Sequence, residues 1–259
     1  MKGRVLTAAT AAAAAVVGWH ALPAVTSVAP VRVLTPRLAG RGHPSSVALT
    51  FDDGPHPLAT PLLLDLLDRY QIKATFFLLG VEVLRAPEVA AAIAAAGHEV
   101  AVHGHTHRCL LARTPAATLD DIRLGRDIVT EATGATPTWY RPPYGVLTTA
   151  ALTGATRLGL RPVLWTGWGR DWTSHATGES VYRTAVRNLR GGATLLLHDS
   201  DATSAPGSWR ATLAALPRLI EFAQTRHLTF ATLSAHGIDR VRAEPSGGVS
   251  VRHRPPSPR

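Results

Sequence analysis

Asp52 and Asp53 stand side by side where the apolar run SVALTF (46–51) stops against Gly54 and Pro55. Adjacent carboxylates repel one another and neither favours a strand. A cation beside them would make the pair tolerable. Three histidines, His103, His105 and His107, follow in the stretch HGHTH. His103 and His107 are four residues apart, which puts their side chains on one side of a helical turn. Such a pair alone is more often a solvated loop feature. Joined to one carboxylate it becomes a ligand set for a divalent cation, with positions left open for water and substrate. The other carboxylate is then free to act as a base on a water molecule, the kit for metal-assisted hydrolysis. Further ionisable or aromatic residues recur downstream: Arg141 and Tyr144 in YRPPYG, Asp171 and Trp172 in RDW, and His198 and Asp199 closing ATLLLHD.

These residues need elements that converge. Apolar runs at 46–51, 74–80, 98–104, 137–142, 161–167, 193–199 and 228–234 read as strands. Amphipathic or alanine-rich stretches at 62–70, 87–97, 118–134, 180–192 and 209–224 read as helices, with Pro217 a kink in the last. Near-continuous apolar strands alternating with helices imply a parallel sheet covered on both faces. About seven such units predict an α/β fold with a closed or nearly closed barrel and a single catalytic domain over 45–239. The open doubly wound alternative would carry a Gly-rich first turn, and FDDGPHP is not one. In a barrel the C-terminal strand ends share one face. The aspartate pair, the histidines, Arg141, Asp171 and His198 all fall at such ends.

The 259 residues are 46% hydrophobic and 17% charged, enough for one sizeable core. The net charge of +9 lies mostly at the ends. Lys2 and Arg4 precede the apolar stretch 5–19, and five arginines against Glu244 fall within 240–259, leaving an ordinary +3 between. No basic stripe interleaved with aromatics is present, which excludes a nucleic-acid reading. Residues 1–29 read as a signal peptide or membrane anchor, the stretch 5–19 being short of the roughly 20 residues of a spanning helix. The chain is therefore expected to be exported, to the exterior or the cell envelope. Residues 30–44 read as a linker and 240–259 as a disordered, basic, Pro-rich tail. The single cysteine, Cys109, permits no intrachain disulfide and reads as a small, partly buried residue.

In order and spacing, TFDDGP, HGHTH, RPPYG, RDW and LLLHD resemble the five motifs of the polysaccharide deacetylase family, the chitooligosaccharide deacetylase homology domain of carbohydrate esterase family four. The resemblance spans about 45–234. It implies a distorted (β/α) barrel that removes acetyl groups from an N-acetylated glycan such as peptidoglycan, chitin or a chitooligosaccharide. By similarity, Asp53, His103 and His107 hold a divalent metal, most often Zn2+, with Co2+ as an alternative. Asp52 is the base, oriented by Arg141. His198 is the acid, oriented by Asp171. The backbone N–H of Tyr144 helps form an oxyanion hole, and Trp172 and Leu196 wall the acetyl pocket. The expected partner is an acetylated polysaccharide or oligosaccharide, and the expected state a monomer. Two other readings are an O-acetyl esterase on acetylxylan and a degenerate carbohydrate-binding domain. Gly104 departs from the family's Ser or Thr after the first metal histidine, a loss Thr106 could offset. Trp168 stands where an acidic residue is frequent; it is assigned to a sugar-stacking groove, and Trp165 to the core.

Overall fold

The run 46–51 folds as β1 (Ser46–Asp52), and all seven of its residues are buried. In the computed structural model, which describes residue 15 and residues 17–239, β1 lies at the centre of a parallel sheet. The tail expectation for 240–259, and residues 1–14 and 16 of the leader, fall outside the described residues. The other strands are β2 (Thr75–Leu78), β3 (Glu99–Val102), β4 (Trp139–Tyr140), β5 (Arg161–Pro162), β6 (Gly167–Trp168), β7 (Thr194–His198) and β8 (Thr229–Ala231). The order is β5-β4-β3-β2-β1-β7-β6, and every pairing is parallel. β2 pairs with the C-terminal half of β1, from Thr50 to Asp52. β8 pairs with the N-terminal half, from Ser46 to Ala48.

The run 161–167, expected as one strand, is split in two. β5 pairs with β4 and β6 with β7, so one segment serves both edges of the sheet and curls it into a distorted barrel. The turn between them interrupts the ladder, and its backbone groups find partners elsewhere. Leu164 N–H donates to Leu38 O at 2.6 Å. Arg141 Nη2 donates to Leu164 O at 2.9 Å, and Arg32 Nη1 to Trp165 O at 3.1 Å.

These partners correct the linker expectation for 30–44, and the ordered backbone begins earlier, within the 1–29 expected as a leader. Residues Leu22–Ser27 form a 3-10 turn and Ala29–Val33 a short helix, α1. Ala39 is 2% exposed, and Gly40 O accepts from Thr194 Oγ1 at 2.6 Å. The segment is ordered because it satisfies the seam's backbone groups, a role with no periodic signature.

The remaining helices are α2 (Ala59–Arg69), α3 (Gly80–Arg85), α4 (Pro87–Ala95), α5 (Pro115–Thr133), α6 (Thr149–Arg157), α7 (Gly178–Val186) and α8 (Trp209–Thr225). α5 begins at a Thr114 cap whose side chain accepts from Ala117 N–H, with Pro115 as first residue, and stops at Gly134 with φ 67°. α7 opens on a reciprocal Thr177–Ser180 cap. α3 and α6 have no counterpart in the sequence reading, and Pro217 sits inside α8 without ending it. The main core packs Leu49, Phe51, Phe76 and Leu195 of the strands against Leu63, Leu67, Val181, Leu216 and Leu219 of the helices. Cys109 is exposed rather than partly buried, in the loop after the histidines.

Candidate active site

β1 delivers Asp52 to the C-terminal rim, and the chain turns at once: Asp53 has φ 75°. Successive side chains of a strand point to opposite faces. The left-handed residue breaks that alternation, and both carboxylates line one cavity. Aspartate tolerates this conformation better than most side chains. Gly54 comes next with no room for a side chain, because a Cβ there would run into the buried Asp199 carboxylate. Thr60 Oγ1 donates to Asp199 Oδ2 at 2.5 Å.

β3 delivers His103. Its Nδ1 lies 2.7 Å from Arg141 O, which can only accept, so Nδ1 carries a hydrogen and the neutral ring offers its lone pair at Nε2. That Nε2 is 3.3 Å from Asp53 Oδ1, and His107 Nε2 is 3.6 Å from the same oxygen. The three ligand atoms lie within 4.8 Å of one another. Asp53 Oδ1 is buried and has no hydrogen-bond partner. An acceptor oxygen orphaned between two imidazole nitrogens is an arrangement a cation satisfies, so the residues fit a divalent metal. Burial pushes the Asp53 carboxyl up, but the imidazoles of His103, His198 and His107 around it outweigh that and hold it well below the usual range. Burial, reinforced by His103, pushes His107 down to about 4, which keeps it in the neutral form that binds metals.

The histidine loop is tied to a helix. Asp121, on α5 and only 6% exposed, accepts from His105 N–H at 3.0 Å, Thr106 N–H at 3.3 Å and Thr106 Oγ1 at 2.6 Å. Gly80 N–H and Val81 N–H donate to Gly104 O and His105 O at 3.0 and 3.1 Å. Gly104 has φ 102°, and a Cβ on it would stand 2.7 Å from Asp121 Oδ2. The missing Ser or Thr hydroxyl at Gly104 is therefore answered by Asp121 and Thr106 together. His105 stays outside the ligand cluster, its Nδ1 turned to the space beside Gly80.

Arg141 is fully buried at the end of β4. Its Nη1 donates to Asp52 Oδ1 at 2.6 Å and to Thr50 Oγ1 at 2.9 Å, and the guanidinium lies over the Phe77 ring. Across the cavity, His198 Nδ1 is 2.9 Å from Asp171 Oδ1. Asp171 Oδ2 accepts from His198 N–H at 2.7 Å and Thr212 Oγ1 at 2.6 Å. Burial lowers the His198 pKa, but Asp171, then Asp53 and Asp52, outweigh it and push it up to about 10. A divalent cation on Asp53 opposes that rise. His198 Nε2 is 3.8 Å from Asp53 Oδ2, which also accepts from Thr203 Oγ1 at 2.5 Å.

The cavity holds about 220 Å³, walled by Leu196, Trp165, Trp168 and Trp172. Trp168 meets Trp172 edge-on at 5.2 Å, and Trp172 meets His198 at 5.6 Å. Trp165, assigned to the core, is 9% exposed and also reaches the cavity. Tyr144 has φ 59° and lays its ring against His107 at 4.4 Å. All ten residues singled out by sequence thus come together. Asp121, Thr203 and Thr212 were missed. Thr203 and Thr212 carry no sequence signal; Asp121 could have been sought as a buried acid opposite a loop of free N–H groups.

A family model described as polysaccharide deacetylase matches residues 39–163. The chain is 37% identical over 185 residues to a chitooligosaccharide deacetylase of Bradyrhizobium sp. (strain ANU 289), covering 67% of this chain and 84% of that one. Among solved structures, the Bc1960 peptidoglycan N-acetylglucosamine deacetylase, in complex with 4-naphthalen-1-yl-N-oxidanyl-benzamide, superposes with a TM-score of 0.72 and 29% identity over 79% of this chain and 94% of that one. A mutant of BA3943, a CE4-family pseudoenzyme with restored enzymatic activity, gives a TM-score of 0.69 and 25% identity over 76% and 69% of the two chains. At 37% identity over 84% of a curated chitooligosaccharide deacetylase, and with the same barrel as its solved relatives, the chain belongs to the polysaccharide deacetylase family.

Proposed function

We propose that this chain hydrolyses the N-acetyl group of an N-acetylglucosamine-containing glycan, with Asp53, His103 and His107 holding a divalent cation, zinc before cobalt. The observation that carries the reading is the orphaned Asp53 Oδ1 between two imidazoles, flanked by an arginine-held carboxylate and an aspartate-held imidazole. The bound cation supplies Lewis-acid polarisation of water and of the acetyl carbonyl. Asp52, fixed through Oδ1 by Arg141, takes the proton of the attacking water on its other oxygen. The new C–O bond converts the carbonyl into a tetrahedral anion, to which the Tyr144 backbone N–H donates. His198 Nε2 gives a proton to the departing nitrogen while Asp171 keeps Nδ1 protonated, the C–N bond breaks, and acetate and a free amine remain. Leu196 and Trp172 enclose the methyl group and exclude water from it.

The expected setting is outside the cell membrane, where such polymers lie, with residues 1–29 directing export or anchoring. No helix among the described residues is long and apolar enough to cross a membrane. Acetate release from chitooligosaccharide, peptidoglycan and acetylxylan, each with zinc and with a chelator, tests the reading. Zinc-dependent release from the amide substrates is expected. Release from acetylxylan alone would make the protein an O-acetyl esterase, and binding without release would make it a degenerate carbohydrate-binding domain.

A further inference from the structure

A second cavity of about 240 Å³ adjoins the first, and the indoles of Trp165 and Trp168 line both. Its other walls include Arg32 of α1, Arg41, Arg190 and Asn188. No aspartate or glutamate lines it. None of the three arginines forms an ion pair among the described residues, although eight other arginines do. Arg32 is not a loose surface cation. Its Nη2 donates to Ser27 O at 2.7 Å and its Nη1 to Trp165 O, the guanidinium stands 5.0 Å from the Trp165 ring, and its Nε is buried without a partner. Like charges around one cavity repel, and a held guanidinium with an unpaired N–H has lost water without gaining an acceptor. An anion in the cavity relieves the repulsion, and guanidinium groups fit carboxylate and phosphate oxygens by paired hydrogen bonds.

We propose that this cavity is an anion subsite, which receives a carboxylate or phosphate carried by the glycan next to the sugar being deacetylated. The assignment rests on the deacetylase reading and narrows its substrate class to the acidic N-acetylated glycans. The shared tryptophan wall places the anion beside the acetyl pocket, across Trp165 and Trp168.

The test compares kcat/KM on a neutral N-acetylglucosamine tetramer, a peptide-free N-acetylglucosamine–N-acetylmuramic acid tetramer bearing lactyl carboxylates, and a 6-phosphorylated N-acetylglucosamine tetramer. At low salt at least one acidic oligomer is expected to exceed the neutral one by about tenfold, the effect of one charge-assisted hydrogen bond. The carboxylate and phosphate arms distinguish the two sources. The advantage should shrink as salt rises. Arg190→Gln, at the exposed rim, should reduce the acidic-to-neutral ratio towards one, as should Arg32→Gln. Binding of the same oligomers in an Asp52→Asn background reads the subsite without turnover, so it decides the point even if no acetate is released. Equal values for neutral and acidic oligomers, or an unchanged ratio in both arginine variants, overturn the anion subsite and leave the deacetylase reading intact. Absence of acetate from all three oligomers overturns that reading instead.

Discussion

Asp121→Asn isolates how the histidine loop is held. The native carboxylate accepts from His105 N–H at 3.0 Å, Thr106 N–H at 3.3 Å and Thr106 Oγ1 at 2.6 Å. Asparagine keeps one oxygen. If that oxygen stays on Thr106, the amide NH2 faces His105 N–H, donor against donor; that N–H keeps only the Asp121 backbone oxygen, and losing its bond to the charged group costs about 1.5–3 kcal/mol. The two surviving bonds pass from charged to neutral acceptors and lose roughly half their strength, about 1 kcal/mol more. A total near 3 kcal/mol falls on the segment that carries two of the three proposed metal ligands. Expressed as ligand preorganisation it lowers metal affinity by up to about 100-fold. Competition with a chelating indicator measures the affinity. Thr106→Val, which removes only the hydroxyl, should cost about 1 kcal/mol, or roughly fivefold. Metal affinity within twofold of native in Asp121→Asn, with an unchanged melting temperature, would refute the assignment of Asp121 as the loop's anchor.

Asp53→Asn should empty the metal site, whereas Asp52→Asn should keep the metal and lose activity by about 10²–10⁴-fold, the usual effect of a missing general base; metal analysis of the purified variants decides, and a reversed pattern would mean the two roles are exchanged. His105→Ala should retain full metal content by the same analysis. His198→Ala should nearly abolish amide hydrolysis yet spare much of the activity on an aryl acetate, whose phenolate leaves without a proton because phenol has a pKa of about 10; equal losses in kcat/KM on both substrates would remove His198 as the acid. Burial holds His98 and His236 neutral down to about 4, so between the ordinary histidine pKa and that value the unfolded chain binds the extra proton and stability falls on acidification, by about 1.4 kcal/mol per pH unit for each group. Asp199, pushed up to about 7 by burial, acts oppositely over much of that window, so the diagnostic is the change His98→Asn makes in the slope of urea stability against pH; an unchanged slope would place the titration elsewhere.

The strand ends were legible because continuous apolar runs stop abruptly at ionisable residues, and a parallel barrel gathers such ends on one face. The strand limits overshot where that chemistry begins. The run 74–80 ends as β2 at Leu78 because Gly80 opens α3, and the run 98–104 ends as β3 at Val102 because Gly104 is left-handed. Which aspartate binds metal was open in the residues themselves, since both are equally acidic neighbours; the difference lies in backbone direction and in Arg141, which reaches only Asp52. Asp121 and Thr212 looked like polar positions of amphipathic helices. Their inward role depends on which face of α5 and α8 meets the loops, and one helix's spacing does not encode that. The segment before β1 was illegible for a similar reason: its order comes from backbone groups at a seam visible only once the barrel closes.

The left-handed backbone at Asp53 bears on how such proteins diverge. Most side chains in that conformation cost about 1–2 kcal/mol, but asparagine and glycine are at ease there. One nucleotide change separates an aspartate codon from an asparagine codon or a glycine codon. A lineage could therefore discard the metal at this position while keeping the barrel almost as stable, whereas alanine or glutamate would bring a folding penalty as well. Chemistry and stability are weakly coupled at this point of the chain, so selection for catalysis alone guards it. A family built on this turn can shed its hydrolytic activity in one step and persist as a folded binding protein.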